Sequence, residues 1–404
     1  MKRRTSLYAG LACLALVLAG VGAYAWQLPS VQMALLERAS LEQLERRVEA
    51  EPDDWRVQYW FGKRAAESGD FLRAEPALRR VLGTEWGFTP AATELGRVLL
   101  AKGEVNEAFQ LLRMAVGREG QPDARLALGQ LYRSQGAHHL AMEQLKEALK
   151  ARPNDAQALY ELAAAHAQVQ QYEQAEENLR RALSLAPKSP LFLTALSRIR
   201  RERGDLAEAE SLAREAVALQ PDAPDALMEL SRALAMKLPA EKHRPEAIAT
   251  LESALTLAPR HPGLRLELAK LHGEAENWPA SVTLLEQAIQ LTPGETQAYY
   301  LLSRAYRALG RTEDSQRMDG VFKRRQAYDR KVQALGAKIG ANPENAKLRF
   351  ELGELHASEG ELDQAAQSYR NGLQWDPKNE TARRRMVELV RQATQRRADR
   401  GTPR

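Results

Sequence analysis

Six basic side chains in this 404-residue sequence stand one residue past a small residue in helix-like stretches: Lys63, Arg97, Arg198, Arg232, Lys270 and Arg304. Tyr59, Tyr160, Tyr300 and Phe350 stand four residues before that recurring position, and residues four apart on a helix share a face. Cations interleaved with aromatic rings suit an extended peptide bearing carboxylates, or an acidic polymer, through charge-assisted hydrogen bonds and ring contacts. The competing reading makes them ordinary exposed residues paired with neighbouring Glu, each pair contributing about 0–1 kcal/mol.

Catalytic chemistry finds no such pattern. His166, His272 and His356 occupy equivalent first-helix positions, where a hydrogen-bonded packing role is the ordinary one. His138 and His139 are adjacent, so on a helix they point about 100° apart and make a poor metal pair. No Gly-rich phosphate loop, HExxH, nucleophile elbow or paired-carboxylate signature stands out. Cys13 is the single cysteine, which excludes disulfides and thiolate metal sites from the rest of the chain. The sequence therefore predicts no catalytic residues, no metal, no cofactor and no enzyme.

These side chains sit on a segment written repeatedly. "AEENLRRALSLAP" ends at Pro187, and close variants end at Pro153, Pro221, Pro259, Pro293 and Pro377. With its upstream neighbour each makes a two-helix unit of about 34 residues. The first helix carries a small residue at Gly62, Gly96, Gly129, Ala163, Ser197, Ser231, Ala269, Ser303 and Gly353. The second carries one at Ala74, Ala108, Ala141, Ala175, Ala209, Ala247, Ser281, Ser315 and Ala365. Antiparallel helices approach closely only where neither has a bulky side chain at the crossing. Aromatics are sparse and no run alternates with period two, so strands have no support.

In period and layout the chain resembles the tetratricopeptide repeat family. The resemblance implies an all-α, right-handed superhelix (an α-solenoid) of about nine helix-turn-helix repeats. It also implies that the face bearing the ten residues named first lines a concave groove. Tetratricopeptide repeats that clamp the C-terminal carboxylate of cytosolic chaperones carry Asn where this chain has Lys63, which argues against that ligand.

The expected division is a signal or transmembrane segment at 1–26 and an N-terminal capping helix at 27–54. Repeats one to seven follow at 55–295, repeat eight with an extended helix at 296–345, repeat nine at 346–379, and a capping helix with a basic tail at 380–404. Spacing between the paired small residues is sixteen in the sixth unit against twelve elsewhere, which predicts a protruding loop at Met236 to Ala247. The ninth unit begins about sixteen residues late, which predicts a long helix over Ser315 to Ile339 projecting beyond the stack, with Lys323, Arg324 and Arg325 as a docking cluster or a solvated face.

Lys2, Arg3 and Arg4 precede an uncharged apolar run from Leu7 to Trp26, about the ~20 residues a membrane-crossing helix needs. The positive-inside bias sends the rest across, giving a single-pass inner-membrane protein with a periplasmic body. Cleavage after Ala25, in the small-x-small "AYA", is the alternative. The net charge of +5 comes from the chain ends, since residues 1–26 carry +3 and residues 381–404 carry +6 around an acidic middle. A basic isoelectric point is thus no argument for nucleic acid, and none is expected as a partner. The functional expectation is a scaffold binding envelope proteins or peptides in its groove, with export or assembly of an anionic polysaccharide as the alternative.

Overall fold

The computed structural model describes residues 29–84, 88–119, 121–342 and 344–401. Those residues form twenty-one helices and no strand, in two compact units, Met1–Ala127 and Leu128–Arg404. In the first unit α1 (Pro29–Arg38) and α2 (Leu41–Ala50) precede two hairpins, α3 (Trp55–Glu67) with α4 (Phe71–Val81) and α5 (Phe88–Ala101) with α6 (Val105–Glu119). Helix α7 (Pro122–Ser134) crosses the division. The second unit continues with α8 (His138–Ala151), α9 (Ala156–Gln168), α10 (Tyr172–Leu185), α11 (Pro190–Glu202), α12 (Leu206–Leu219), α13 (Pro224–Ala235) and α14 (Ala240–Leu257). It ends with α15 (Pro262–Glu274), α16 (Trp278–Leu291), α17 (Thr296–Ala308), α18 (Thr312–Ala341), α19 (Ala346–Ser358), α20 (Leu362–Trp375) and α21 (Glu380–Gly401). Residues 1–26, read as a membrane or signal segment, lie outside the described residues. Among the described residues no helix is long and apolar enough to cross a membrane.

The paired small residues mark the crossings. A Cβ built on Gly62 would stand 2.7 Å from Leu78, on Gly96 2.8 Å from Leu112, on Gly129 2.7 Å from Leu145 and on Gly353 2.6 Å from Tyr369. Each partner lies four residues beyond its second-helix small residue, so one missing side chain admits one large one. Where the position is serine, its hydroxyl donates to a backbone carbonyl across the crossing: Ser197 to Ala209 at 2.7 Å, Ser231 to Ala247 at 2.9 Å, Ser303 to Ser315 at 3.1 Å. Ser281 donates the other way, to Ala269 at 2.8 Å.

Seven residues past the first-helix small residue the chain turns. Gly69, Gly103, Gly136, Gly204, Gly310 and Gly360 stand there at positive φ, and Gln170 (φ 60°) and Glu276 (φ 58°) hold the same place in repeats four and seven. The left-handed conformation releases the first helix while its carbonyls are still satisfied, as where Asp70 N–H donates to Ala65 O at 2.8 Å. Side chains then open the helices: Asp70 accepts from Arg73 N–H at 3.1 Å and Asp155 from Ala158 N–H at 3.0 Å.

Successive repeats are joined in two ways. In repeats one, four and five the residue after the second-helix small position is Glu, and it binds a base on its own helix and one on the next hairpin. Glu75 takes Arg79 (2.8 Å) and Lys102, Glu176 takes Arg180 (2.8 Å) and Arg203 (2.6 Å), and Glu210 takes Arg214 (2.8 Å) and Lys237 (2.5 Å). Each of those helix arginines reaches on to a second-helix acid of the next repeat: Arg79 to Glu107 (2.6 Å), Arg180 to Glu208 (2.9 Å), Arg214 to Glu246 (2.5 Å). Hydrogen bonds from Lys102 and Lys237 hold Glu75 and Glu210 below the usual carboxylate range. At Glu176 burial pushes upward, and the Arg180 hydrogen bond with the charges of Arg200 and Arg203 overcomes it. In repeats two, three and seven the position is apolar, with Phe109, Met142 and Val282 buried there.

Three expectations change. The N-terminal cap is two helices, because Ser40 forms a capping box: its hydroxyl accepts from Gln43 N–H at 3.3 Å and Gln43 Oε1 accepts from Ser40 N–H at 2.9 Å. Leu36 and Leu44 are fully buried in the first-unit core. The four extra residues of repeat six do not make a protruding loop. They add about one turn to the start of α14, which keeps its inner face in phase at about 3.6 residues per turn. The long helix α18 spans 30 residues against 14 in α16, but does not project freely. Its last turn brings Gly340 against the α7–α8 turn, where a Cβ built on it would lie 3.4 Å from Ala137 Cβ.

A left-handed residue with a Cβ costs about 1–2 kcal/mol that glycine avoids. Gln170→Gly and Glu276→Gly are each expected to raise unfolding stability by about 0.5–1 kcal/mol after glycine's own entropy is counted. Gly136→Ala is expected to lower it, all three being read from urea unfolding of the full chain.

Candidate functional site

In the second unit the backbones of successive first helices approach one another, α9 with α11, α11 with α13, α13 with α15 and α15 with α17. Successive second helices do not match that approach, so the first helices occupy the inner side of the curve. A cavity of about 660 Å³ opens there, lined among others by Arg133, Tyr160, Thr194, Ala195, Arg198 and Asp225. It exists because α9 presents Ala163, Ala164 and Ala167 and α11 presents Thr194 and Ala195, too small to fill the space between helices. Tyr160 is stacked on Phe192 with ring centroids 5.4 Å apart and an interplanar angle of 27°. Burial raises its phenol pKa. The Arg198 side chain is 52 % exposed, and its only ion-pair contact among the described residues is Glu229 at 3.8 Å.

The other residues singled out from sequence are placed differently. Arg232 binds Glu267 at 2.6 Å, and Lys270 lies 3.6 Å from the same carboxylate. In the first unit Arg97 binds Glu94 at 3.1 Å, and the Lys63 ammonium lies 5.0 Å over the Trp60 ring. Tyr59 is buried edge-on to Trp60, and burial drives its phenol pKa far up. Arg304 is exposed and has no ion-pair partner among the described residues. Tyr300 is partly exposed, with its ring 5.3 Å from Phe322. Phe350 is turned onto the second helix of its own repeat, stacked on Tyr369 at 5.4 Å and against Gly372. The structure thus brings Tyr160 and Arg198 into one cavity and commits Arg232, Lys270, Arg97 and Phe350 to partners within the fold. In the cluster on α18, Lys323 binds Asp319 (2.7 Å), Arg325 braces Glu361 (3.2 Å) and Arg324 is exposed.

The residues that sequence reasoning passed over are acids two before the first-helix small position. Glu94, Glu161, Glu229 and Glu267 recur there and receive the groove cations. Glu161 takes Arg133 of the preceding repeat at 2.8 Å, and Glu229 takes Arg201 at 2.7 Å, with Arg198 and Arg232 at 3.8 and 4.0 Å. Glu229 is 1 % exposed, and three guanidiniums stand around its one carboxylate inside the wall. His166 and His356 are packing groups: burial lowers the pKa of each, and their Nδ1 atoms sit 2.6 Å from Gln171 Oε1 and Tyr328 Oη.

A family model described as tetratricopeptide repeat matches residues 59–125, 194–262, 266–315 and 325–380. A second, described as anaphase-promoting complex, cyclosome, subunit 3, matches residues 113–182. A tetratricopeptide repeat protein from Parabacteroides merdae superposes with TM-score 0.50 at 18 % identity, covering 65 % of this chain and 98 % of that one. A human IFIT1 dimer with PPP-AAAA does so with TM-score 0.52 at 15 % identity, covering 83 % and 86 %. No curated protein matches the chain in sequence.

Glu229→Gln is expected to strand the largely buried Arg201 guanidinium and cost about 3 kcal/mol of stability. Glu202→Gln, which removes only the exposed partner of Arg201, should stay within about 0.5 kcal/mol of the parent. Paired thermal unfolding curves decide between them.

Proposed function

The chain belongs to the tetratricopeptide repeat family, and from that premise we propose that it is a non-catalytic scaffold holding an extended segment of a partner protein along its first helices. The observation that carries this is the cavity between α9 and α11, where the Tyr160–Phe192 stack and the half-exposed Arg198 face one space. Such a site takes an apolar or aromatic side chain with a carboxylate nearby. The polysaccharide alternative is not favoured: Arg97, Arg198, Arg232 and Lys270 each face an acid of the fold, so they offer no continuous track of uncommitted charge to a polyanion.

Photo-cross-linking from position 194 in living cells is the test. The parent should give a discrete protein adduct, and Tyr160→Ala with Arg198→Glu should reduce it at least about ten-fold, equivalent to ~1.4 kcal/mol, with helix content unchanged by circular dichroism. An adduct of equal yield in the double variant would dismiss the cavity as the binding site.

We further propose that the run Leu7–Trp26 tethers the chain in a bacterial inner membrane with the repeats in the periplasm. The support is the basic start at Lys2, Arg3 and Arg4 ahead of an uncharged stretch of spanning length. Alkaline phosphatase fused after Pro52 should be active in cells, since that enzyme matures only across the membrane; an inactive fusion that accumulates normally would reject the orientation.

A further inference from the structure

Two recurrent contacts tie successive first helices in the second unit. An arginine four residues past the small position pairs with the acid two before the next small position, as Arg133 does with Glu161 at 2.8 Å and Arg201 with Glu229 at 2.7 Å. A cation one residue past the small position turns to the same acids, Arg198 to Glu229 at 3.8 Å and Arg232 to Glu267 at 2.6 Å. Repeat eight carries both cations, Arg307 and Arg304, and repeat nine carries the acid, Glu351. The pairs do not form. Arg304, Arg307 and Glu351 are exposed, and none has an ion-pair partner among the described residues.

The cause is the long helix between them. Arg133 and Arg201 lie 28 residues from their acids, whereas Arg307 and Glu351 lie 44 apart in the numbering, because α18 spans 30 residues where α16 spans 14. The close approach of first helices that runs from α9 to α17 is accordingly not continued from α17 to α19. Tyr300, Arg304 and Arg307 stand at i, i+4 and i+7 and so share one face of α17. Tyr300 is 43 % exposed, and its ring centroid lies 5.3 Å from that of Phe322 on α18. Their counterparts in repeat four are Tyr160, Ala164 and Ala167, which line the cavity. There the small residues leave room beside the ring; in repeat eight the same places hold two uncommitted guanidiniums.

We propose that the face of α17 bearing Tyr300, Arg304 and Arg307, with Phe322 of α18 beside it, is a second binding subsite, for a protein segment with an aromatic residue among carboxylates. Charge complementarity carries the choice of occupant. In the other repeats the groups that receive these two cations are carboxylates, so Glu or Asp side chains of a ligand restore contacts that the fold elsewhere supplies itself. The partly exposed Tyr300–Phe322 pair gives an aromatic side chain a surface to pack on. A polyanion without rings would use only the charged half of the site. The subsite rests on the scaffold reading but not on the Tyr160–Arg198 cavity, and each is tested by its own variant.

The probe is a fluorescein-labelled Glu/Tyr copolymer, with polyglutamate of equal length as its ring-free counterpart, and binding to the full chain is followed by fluorescence anisotropy. Arg304→Glu with Arg307→Glu should weaken copolymer binding at least about ten-fold, with helix content unchanged by circular dichroism. Tyr300→Ala should weaken it at least about three-fold, and polyglutamate should bind the parent at least about three-fold more weakly than the copolymer does. Arg324→Glu with Lys331→Glu, an equal change of charge on the exposed side of α18, should stay within about two-fold of the parent. Equal losses in the two charge-reversed pairs, equal binding of the two polymers, no loss at Arg304 and Arg307, or no binding by the parent overturns the subsite. Tyr160→Ala with Arg198→Glu is measured beside them. A loss confined to that variant keeps the cavity and rejects the second subsite, and a loss confined to the α17 variants does the reverse.

Discussion

Two helix backbones must come together where the incoming leucine or tyrosine has nowhere else to go. At Gly62, Gly96, Gly129 and Gly353 the space a methyl group would take is already occupied by the partner's side chain, and this steric fact sets the tilt of each hairpin. The serine crossings meet the same demand with a short hydroxyl, which also finds the carbonyl opposite and leaves no buried polar atom stranded. Once the hairpin angle is fixed, the relation of one repeat to the next follows, and with it the spacing of residues along the first helices. The Tyr160–Phe192 stack exists because two crossings hold α9 and α11 at ring-contact distance.

Charge in the inner wall is arranged with the same economy. In the second unit Arg133, Arg198, Arg201 and Arg232 each reach an acid on the following first helix, so much of the positive charge there is offset within the fold. Arg198 is the exception of interest, since its nearest carboxylate, Glu229, is held more closely by Arg201. A carboxylate on a ligand would compete for Arg198 without dismantling the pair behind it. On the second helices the junctions after repeats one, four and five are ionic, whereas those at Phe109, Met142 and Val282 are apolar. Water and salt weaken the ionic kind, so the array has junctions of unequal stiffness.

Helix positions and the crossings were legible in sequence because each depends on a small residue recurring at fixed spacing, a local and repeated signal. The turn glycines, at a constant seven residues past the first-helix position, were equally available, and Gln170 and Glu276 show that the backbone keeps its shape when glycine is missing. The insertion in repeat six read as a loop from the sixteen-residue spacing alone, across a stretch that contains Pro239 and Pro245. Pro239, however, stands at the helix N-cap, where a missing N–H breaks no hydrogen bond. The candidate surface was half legible. The cations and rings were found, but their commitments were not, since pairs such as Arg133 with Glu161 lie 28 residues apart and show only when one repeat is laid over the next. The cavity itself is made of alanines and a threonine that carry no signature of their own.

The two length changes in this array differ in phase. Four residues advance a helix by about 400°, so the chain leaves only about 40° from where it otherwise would, and the stacking direction survives. The surplus in α18, which spans 30 residues where 14 is usual, adds roughly four and a half turns and swings the point of departure through about 160°. A helix extended by that amount acts as a corner: it hands the chain on toward the opposite side, so the angular register of a single helix decides whether a stack of hairpins runs on or doubles back.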